Sequence, residues 1–150
     1  MIREAREDDL ETLFAIQRTA SLVAYAHVFP PERYPYPDVE VRELLRRYLS
    51  DSDVTILLAA ESGFVSFSPG WLRQLFVLPD AWGQGLGSEL HDAAVARLRE
   101  LACESVFLWV LERNERARGF YERRGWAPDG QTRVAPFPPY PRTLGYVRRL

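Results

Sequence analysis

Residues 75 to 90 read Leu-Phe-Val-Leu-Pro-Asp-Ala-Trp-Gly-Gln-Gly-Leu-Gly-Ser-Glu-Leu, and no other stretch constrains the fold as much. An apolar run ends at Pro79, three glycines alternate with other residues, and an apolar period opens with Leu86, Leu90, Ala93 and Ala94. That order predicts strand, tight loop, helix. Gly83, Gly85 and Gly87 permit positive φ and let a ligand approach the backbone closely. The first N–H groups of a helix have no intrahelical partner and sit at the positive end of its dipole, which suits an anion such as phosphate. Taken alone, the same pattern also fits a turn that only reverses the chain.

Two other phosphate motifs fit less well. A Walker loop needs a lysine after its last glycine, and Ser88 follows Gly87. Gly83-x-Gly85-x-x-Ser88 lacks only the third glycine of a dinucleotide fingerprint, but Pro79 to Trp82 separate it from the strand. The chain has 150 residues, enough for one domain spanning 1–150. Its net charge of −2 gives no general attraction to nucleic acid or to an anionic membrane. All 19 basic residues are arginine, so only the N-terminal amine is open to self-acylation. Cys103 is the single cysteine, which excludes an internal disulfide. Met1-Ile-Arg-Glu is a charged start, and no apolar run approaches the roughly 20 residues of a membrane span, so the expected compartment is the cytoplasm. His27 and His91 lie far apart, with no metal-ligand spacing around either; no metal is expected.

In chain order, Ile2 to Ala5 suits a short edge strand, and Glu7, Asp8 and Asp9 favour a helix start. Leu10, Leu13, Phe14 and Ala20 form an inward stripe through about Ala20. Residues 25 to 38 are dense in proline and aromatics and predict an ordered, partly extended loop. Asp38 is a candidate cap for a helix carrying Val41, Leu44, Leu45, Tyr48 and Leu49 on one face. Val54 to Ala60 and Phe64 to Ser68 predict two strands joined through Glu61 to Gly63, and Pro69-Gly70 turns into Trp71 to Leu78. Val106 to Leu111 is continuously apolar, as befits a central strand, and follows a helix ending near Ala102. A strand, crossover helix and parallel strand make one right-handed unit. Asn114 to Arg124 predicts a short helix ended at Gly125, and Arg133 to Ala135 with Leu144 to Arg149 a last strand pair.

The second informative stretch runs from Trp109 to Trp126 and contains Asn114, Ala117, Phe120-Tyr121 and Gly125-Trp126. Together with Leu75-Phe-Val-Leu-Pro79 and Gly85-Leu-Gly87, it resembles the GNAT family of acyl-CoA N-acyltransferases. Their phosphate loop, Arg/Gln-x-x-Gly-x-Gly, follows a strand of type Leu-x-Val-x-Pro. Their later signature is Asn-x-x-Ala-x-x-Phe-Tyr-x-x-x-Gly-Phe/Trp. The resemblance implies an α/β fold with a mixed, mostly antiparallel sheet, a central parallel pair and flanking helices. It implies acetyl-CoA as cosubstrate, with pyrophosphate on the amides of Gly83, Gln84, Gly85, Leu86, Gly87 and Ser88. Pantetheine would pair with the backbone of Leu75, Phe76 and Val77, Asn114 would anchor the cofactor, and Tyr121 would protonate the departing thiolate. An amide of Phe76 or Val77 would hold the carbonyl oxygen.

Two departures stand out. The usual Arg or Gln position is Trp82, and no positive side chain occurs from Pro79 to Ala96. Charge neutralisation falls to amides or to Arg113, Arg116, Arg118, Arg123 and Arg124, which equally suit a solvated face. No carboxylate stands at the usual base position; a water chain, Glu112, His27 and Glu32 are the candidates. The expected activity is acetyl transfer to a primary amine, on a small molecule or a peptide, by direct attack on the thioester. The alternative is a catalytically idle acyl-CoA-binding module on the same fold. A homodimer is compatible with the sequence. Tyr25, His27, Phe29, Tyr34 and Tyr36 suit either an acceptor wall or loop packing.

Overall fold

The computed structural model describes all residues, 1–150. Seven strands, β1 (Ile2–Glu4), β2 (Thr55–Ala59), β3 (Gly63–Ser68), β4 (Trp71–Val77), β5 (Ser105–Leu111), β6 (Ala127–Val134) and β7 (Arg142–Arg149), form one sheet ordered β1-β2-β3-β4-β5-β7-β6. The helices are α1 (Leu10–Ala24), α2 (Asp38–Ser50), α3 (Leu86–Glu100) and α4 (Glu115–Glu122). Every strand pair is antiparallel except β4 with β5. This is the mixed α/β sheet with a central parallel pair expected from the resemblance.

Alternation along β5 divides the core. Val106, Leu108 and Val110 point to one face, where Leu90, Ala94 and Leu98 of α3 pack over Leu57, Val65 and Leu72. On the other face, Leu13, Phe14 and Ile16 of α1 and Val41 and Leu45 of α2 cover Ile56, Leu58 and Phe64. Burying these side chains drives assembly at roughly 25 cal/mol per Å² of apolar surface.

The parallel pair is the break in the sheet. β4 and β5 are in register only at Trp71 and Phe107, where the Phe107 amide donates to the Gly70 carbonyl at 2.9 Å. Beyond that point the strands part. A bulge contributes: Ser66 opposes Gln74 and Phe67 opposes Leu72, leaving Arg73 unpaired in the β3 ladder. The Leu78 amide donates to Ser62 on the β3 side, so alternation turns the Val77 carbonyl and amide toward the gap.

Several boundaries differ from the sequence expectation. α1 runs on to Ala24, and Asp38 pairs with Arg18 at 3.2 Å instead of capping α2. The largest difference is β6, which begins at Ala127, well before Arg133. Its Pro128-Asp-Gly130 segment has the composition of a turn. Gly130 at φ +88° absorbs a register shift between Pro128 and Thr132, so the strand continues through it.

Candidate active site

The gap between β4 and β5 opens into a cleft of about 620 Å³. Leu75, Phe76, Val77, Gly83, Gly85, Leu86, Gly87, Ser88, Asn114 and Tyr121 all line it. The structure therefore brings together two signatures more than twenty residues apart. Gln84 is the exception: its side chain is exposed and donates to the Asp80 carbonyl at 3.2 Å, closing the loop from outside.

Gly83 and Gly85 have φ of +78° and +84°, which explains these two glycines as conformational requirements. Gly85 is the N-cap of α3 and supplies no side-chain cap, leaving the first amides of the helix free. Gly87 is different. Its φ is ordinary, and an added Cβ would meet the Phe120 ring at 3.5 Å, an ordinary contact, so neither conformation nor packing in the chain requires glycine here.

Cations reach the loop from α4 and the turn after it. The Arg116 guanidinium lies 3.7 Å from the centre of the Trp82 ring, and the Trp82 indole N–H donates to the Val77 carbonyl at 2.8 Å. Trp82 therefore serves as a platform that holds a cation beside the glycines. Arg124 stacks on Phe120 at 3.7 Å and donates to the Ser88 hydroxyl. Arg118 is turned away, donating to the Tyr146 hydroxyl at 2.9 Å and the Glu112 carbonyl at 3.0 Å. The set of candidate arginines thus separates into two that line the cleft and others that do not.

Asn114 caps α4, its Oδ1 accepting from the Ala117 amide at 3.2 Å, while its NH₂ remains available to the cleft. Tyr121, about two helical turns further, is 8% exposed. Its ring packs against Trp126 and His91, with centroids at 5.8 and 6.5 Å. The indole N–H of Trp126 donates to His91 Nε2 at 3.0 Å; an indole is only a donor, so Nδ1 carries the imidazole proton and donates to Asp92 at 2.9 Å. Burial also holds the His91 pKa below its ordinary value, keeping the ring neutral. This packed unit fixes the Tyr121 ring, whose hydroxyl takes no hydrogen-bond partner from the chain. Burial and the nearby Tyr25 hydroxyl push the Tyr121 pKa above the ordinary phenol value. Tyr25 itself is pushed up to about 12, chiefly by burial.

None of the base candidates lines the cleft. Glu112 faces Arg142 at 3.6 Å, the His27 Nε2 is bonded to the Arg113 carbonyl at 2.9 Å, and Glu32 is exposed on the proline-rich loop. That loop does enter the site through Tyr25 and Phe29, whereas Tyr36 packs edge-on against Phe14 at 6.4 Å. Sequence reasoning missed the polar floor. Ser66 donates to Gln74 at 2.9 Å and Gln74 to Gln17 at 3.0 Å, and both glutamines line the cleft. Gln17 falls on the inward stripe of α1, and a glutamine there was the available signal.

Comparison with known proteins gives the family and the fold. Residues 4–126 match the Acetyltransferase (GNAT) family. The peptidyl-lysine N-acetyltransferase YjaB of Escherichia coli (strain K12) is 30% identical over 151 residues, covering 97% of this chain and 96% of that protein. The protein of the same name from Salmonella typhimurium is 29% identical, covering 93% and 92%. The PaiA N-acetyltransferase of Thermoplasma acidophilum, solved in complex with coenzyme A, superposes with a TM-score of 0.76 at 18% identity, covering 100% of this chain and 98% of that one.

Proposed function

This chain belongs to the GNAT family of acetyltransferases and is an acetyl-CoA-dependent N-acetyltransferase, and we propose that it acetylates a primary amine in the β4–β5 cleft by direct attack on the thioester. The observation that carries the reading is the meeting of the free α3 amides, Asn114 and Tyr121 around one gap in the sheet. The peptidyl-lysine activity named for the two relatives favours a lysine side chain, or a small amine of like reach, as acceptor.

In this reading the pyrophosphate rests on the amides of Gly83 to Ser88, with Arg116 and Arg124 as counter-charges. Trp82 occupies the Val77 carbonyl. Pantetheine is therefore left with the backbone groups of Leu75 and the Val77 amide. That amide, aimed into the gap by strand alternation, also suits the carbonyl oxygen as charge builds. The amine nitrogen attacks the carbonyl carbon, a C–N bond forms, the C–S bond breaks, nitrogen loses a proton and sulfur gains one. Tyr121 donates to the departing sulfur. Holding amine and thioester in contact supplies much of the acceleration.

Arg116→Ala is expected to weaken coenzyme A binding by about tenfold, the lower end for a charge-assisted contact because this guanidinium is exposed. Arg118→Ala should leave affinity at the wild-type value. Isothermal titration of both variants at low salt checks the contrast, and equal losses would contradict it.

Without a carboxylate or imidazole on the cleft, the amine must arrive neutral. For an acceptor of amine pKa about 10, kcat/KM is expected to rise about tenfold per pH unit from about pH 6 to about 9. Tyr121 and Tyr25 stay protonated throughout that range because burial raises both. A plateau set by a group titrating near pH 5 to 7 would assign a protein base and contradict this prediction.

A further inference from the structure

The charged side chains that line the cleft are Arg73, Arg116 and Arg124, with no carboxylate among them. Two of these belong to the glycine-loop end. Arg73 is at the other end, on the β4 bulge, where its Nε donates to the Ser68 hydroxyl at 2.8 Å. Its guanidinium lies 5.7 Å from the centre of the Tyr48 ring of α2; it has no carboxylate partner, and its two terminal nitrogens take no hydrogen bond from the chain. A second guanidinium without a carboxylate partner borders the cleft: Arg133 of β6 lies 4.2 Å from the centre of the Trp109 ring, which itself lines the cleft. Most other surface arginines on the early helices are neutralised, Arg18 by Asp38, Arg42 by Glu11 and Arg46 by Glu43. Glu112 and Asp38 are themselves engaged, with Arg142 and Arg18.

We propose that the acceptor carries a carboxylate within reach of its amine, and that Arg73, assisted by Arg133 on Trp109, is the specificity residue that binds it; this rests on the amine-transfer reading above. A planar guanidinium with both terminal nitrogens open is shaped for a carboxylate. An acceptor bearing only positive charge meets repulsion there. The same cations favour the neutral form of an entering amine, which suits a cleft without a base. The carboxylate has two sources of one chemistry, the acid group of a small amino acid or an acidic residue flanking a lysine.

The test uses matched acceptors whose amines ionise alike: 6-aminohexanoate against 6-aminohexanamide, and a peptide with one lysine between glutamates against the same peptide with glutamines. Thiol release from acetyl-CoA gives kcat/KM for each. In the wild type at least one pair is expected to favour the carboxylate by about tenfold, and which pair does so identifies the source. R73Q should bring that ratio close to one, R73E should invert it, and R73K should retain part of it. Because each ratio is internal to one variant, a general loss of activity or stability cancels. A wild-type ratio near one in both pairs, or a ratio that survives R73Q and R73E, overturns the assignment. Failure to acetylate any of the four acceptors would overturn the amine-transfer reading and this inference with it.

Discussion

Tyr121→Phe is expected to lower turnover by about 10²–10⁴-fold while acetyl-CoA affinity stays within about twofold of wild type. The ring is held by Trp126, His91 and Phe120, so phenylalanine keeps the packing. The hydroxyl takes no partner from the chain, and its loss should change stability by less than about 1 kcal/mol. Burial and Tyr25 raise its pKa, which makes it a weaker acid than a thiol of pKa about 8.5. On the proposed function it would act as a hydrogen-bond donor that strengthens as negative charge grows on sulfur, an interaction made chiefly in the transition state. Steady-state kinetics where chemistry limits the rate, with thermal unfolding of the same samples, checks the separation. Undiminished turnover in a folded variant would remove Tyr121 from the mechanism and leave the cofactor cleft standing.

Gly85→Asp is expected to abolish measurable acetyl-CoA binding, a loss of at least about a hundredfold, in a chain that still folds. Two costs combine at this N-cap. A carboxylate would stand against the phosphates in place of bare amides, and a side chain would be forced to φ +84°. The position is exposed, with nothing within 4 Å of an added Cβ, so the local strain of about 1–3 kcal/mol does not spread into the core. Calorimetric titration alongside circular dichroism distinguishes lost binding from lost fold. Unchanged affinity would move the phosphates elsewhere.

Features governed by local chemistry were legible in the sequence. Alternation and apolar runs located six of the strands within a few residues, and the glycine loop and Asn114 appeared at the ends of the elements expected for them. Tyr121 could be assigned only because the two signatures together resemble a family; a tyrosine on a short helix is otherwise an ordinary half-buried aromatic. Long-range pairings were not legible. Nothing in the spacing of Trp82 and Arg116 says that one will stack on the other, because that contact depends on how β4 and β5 splay. Nor could the arginines near Asn114 be sorted. Arg118 on α4 faces Tyr146 and Arg124 in the turn after it faces Ser88, and both partners are distant in the chain. β6 was misjudged because Pro128, Asp129 and Gly130 have turn propensities that a bulge in an edge strand overrides.

On the proposed function, acetyl-CoA binds in the gap between β4 and β5. Amide chemical-shift mapping tests it most directly, with coenzyme A titrated into ¹⁵N-labelled protein. The largest shifts are expected on Val77, Gly83 to Ser88 and Asn114, with Tyr121 and Trp126 following through their shared packing. Saturable shifts confined to any other surface, with the amides of Gly83 to Ser88 unmoved, would contradict it.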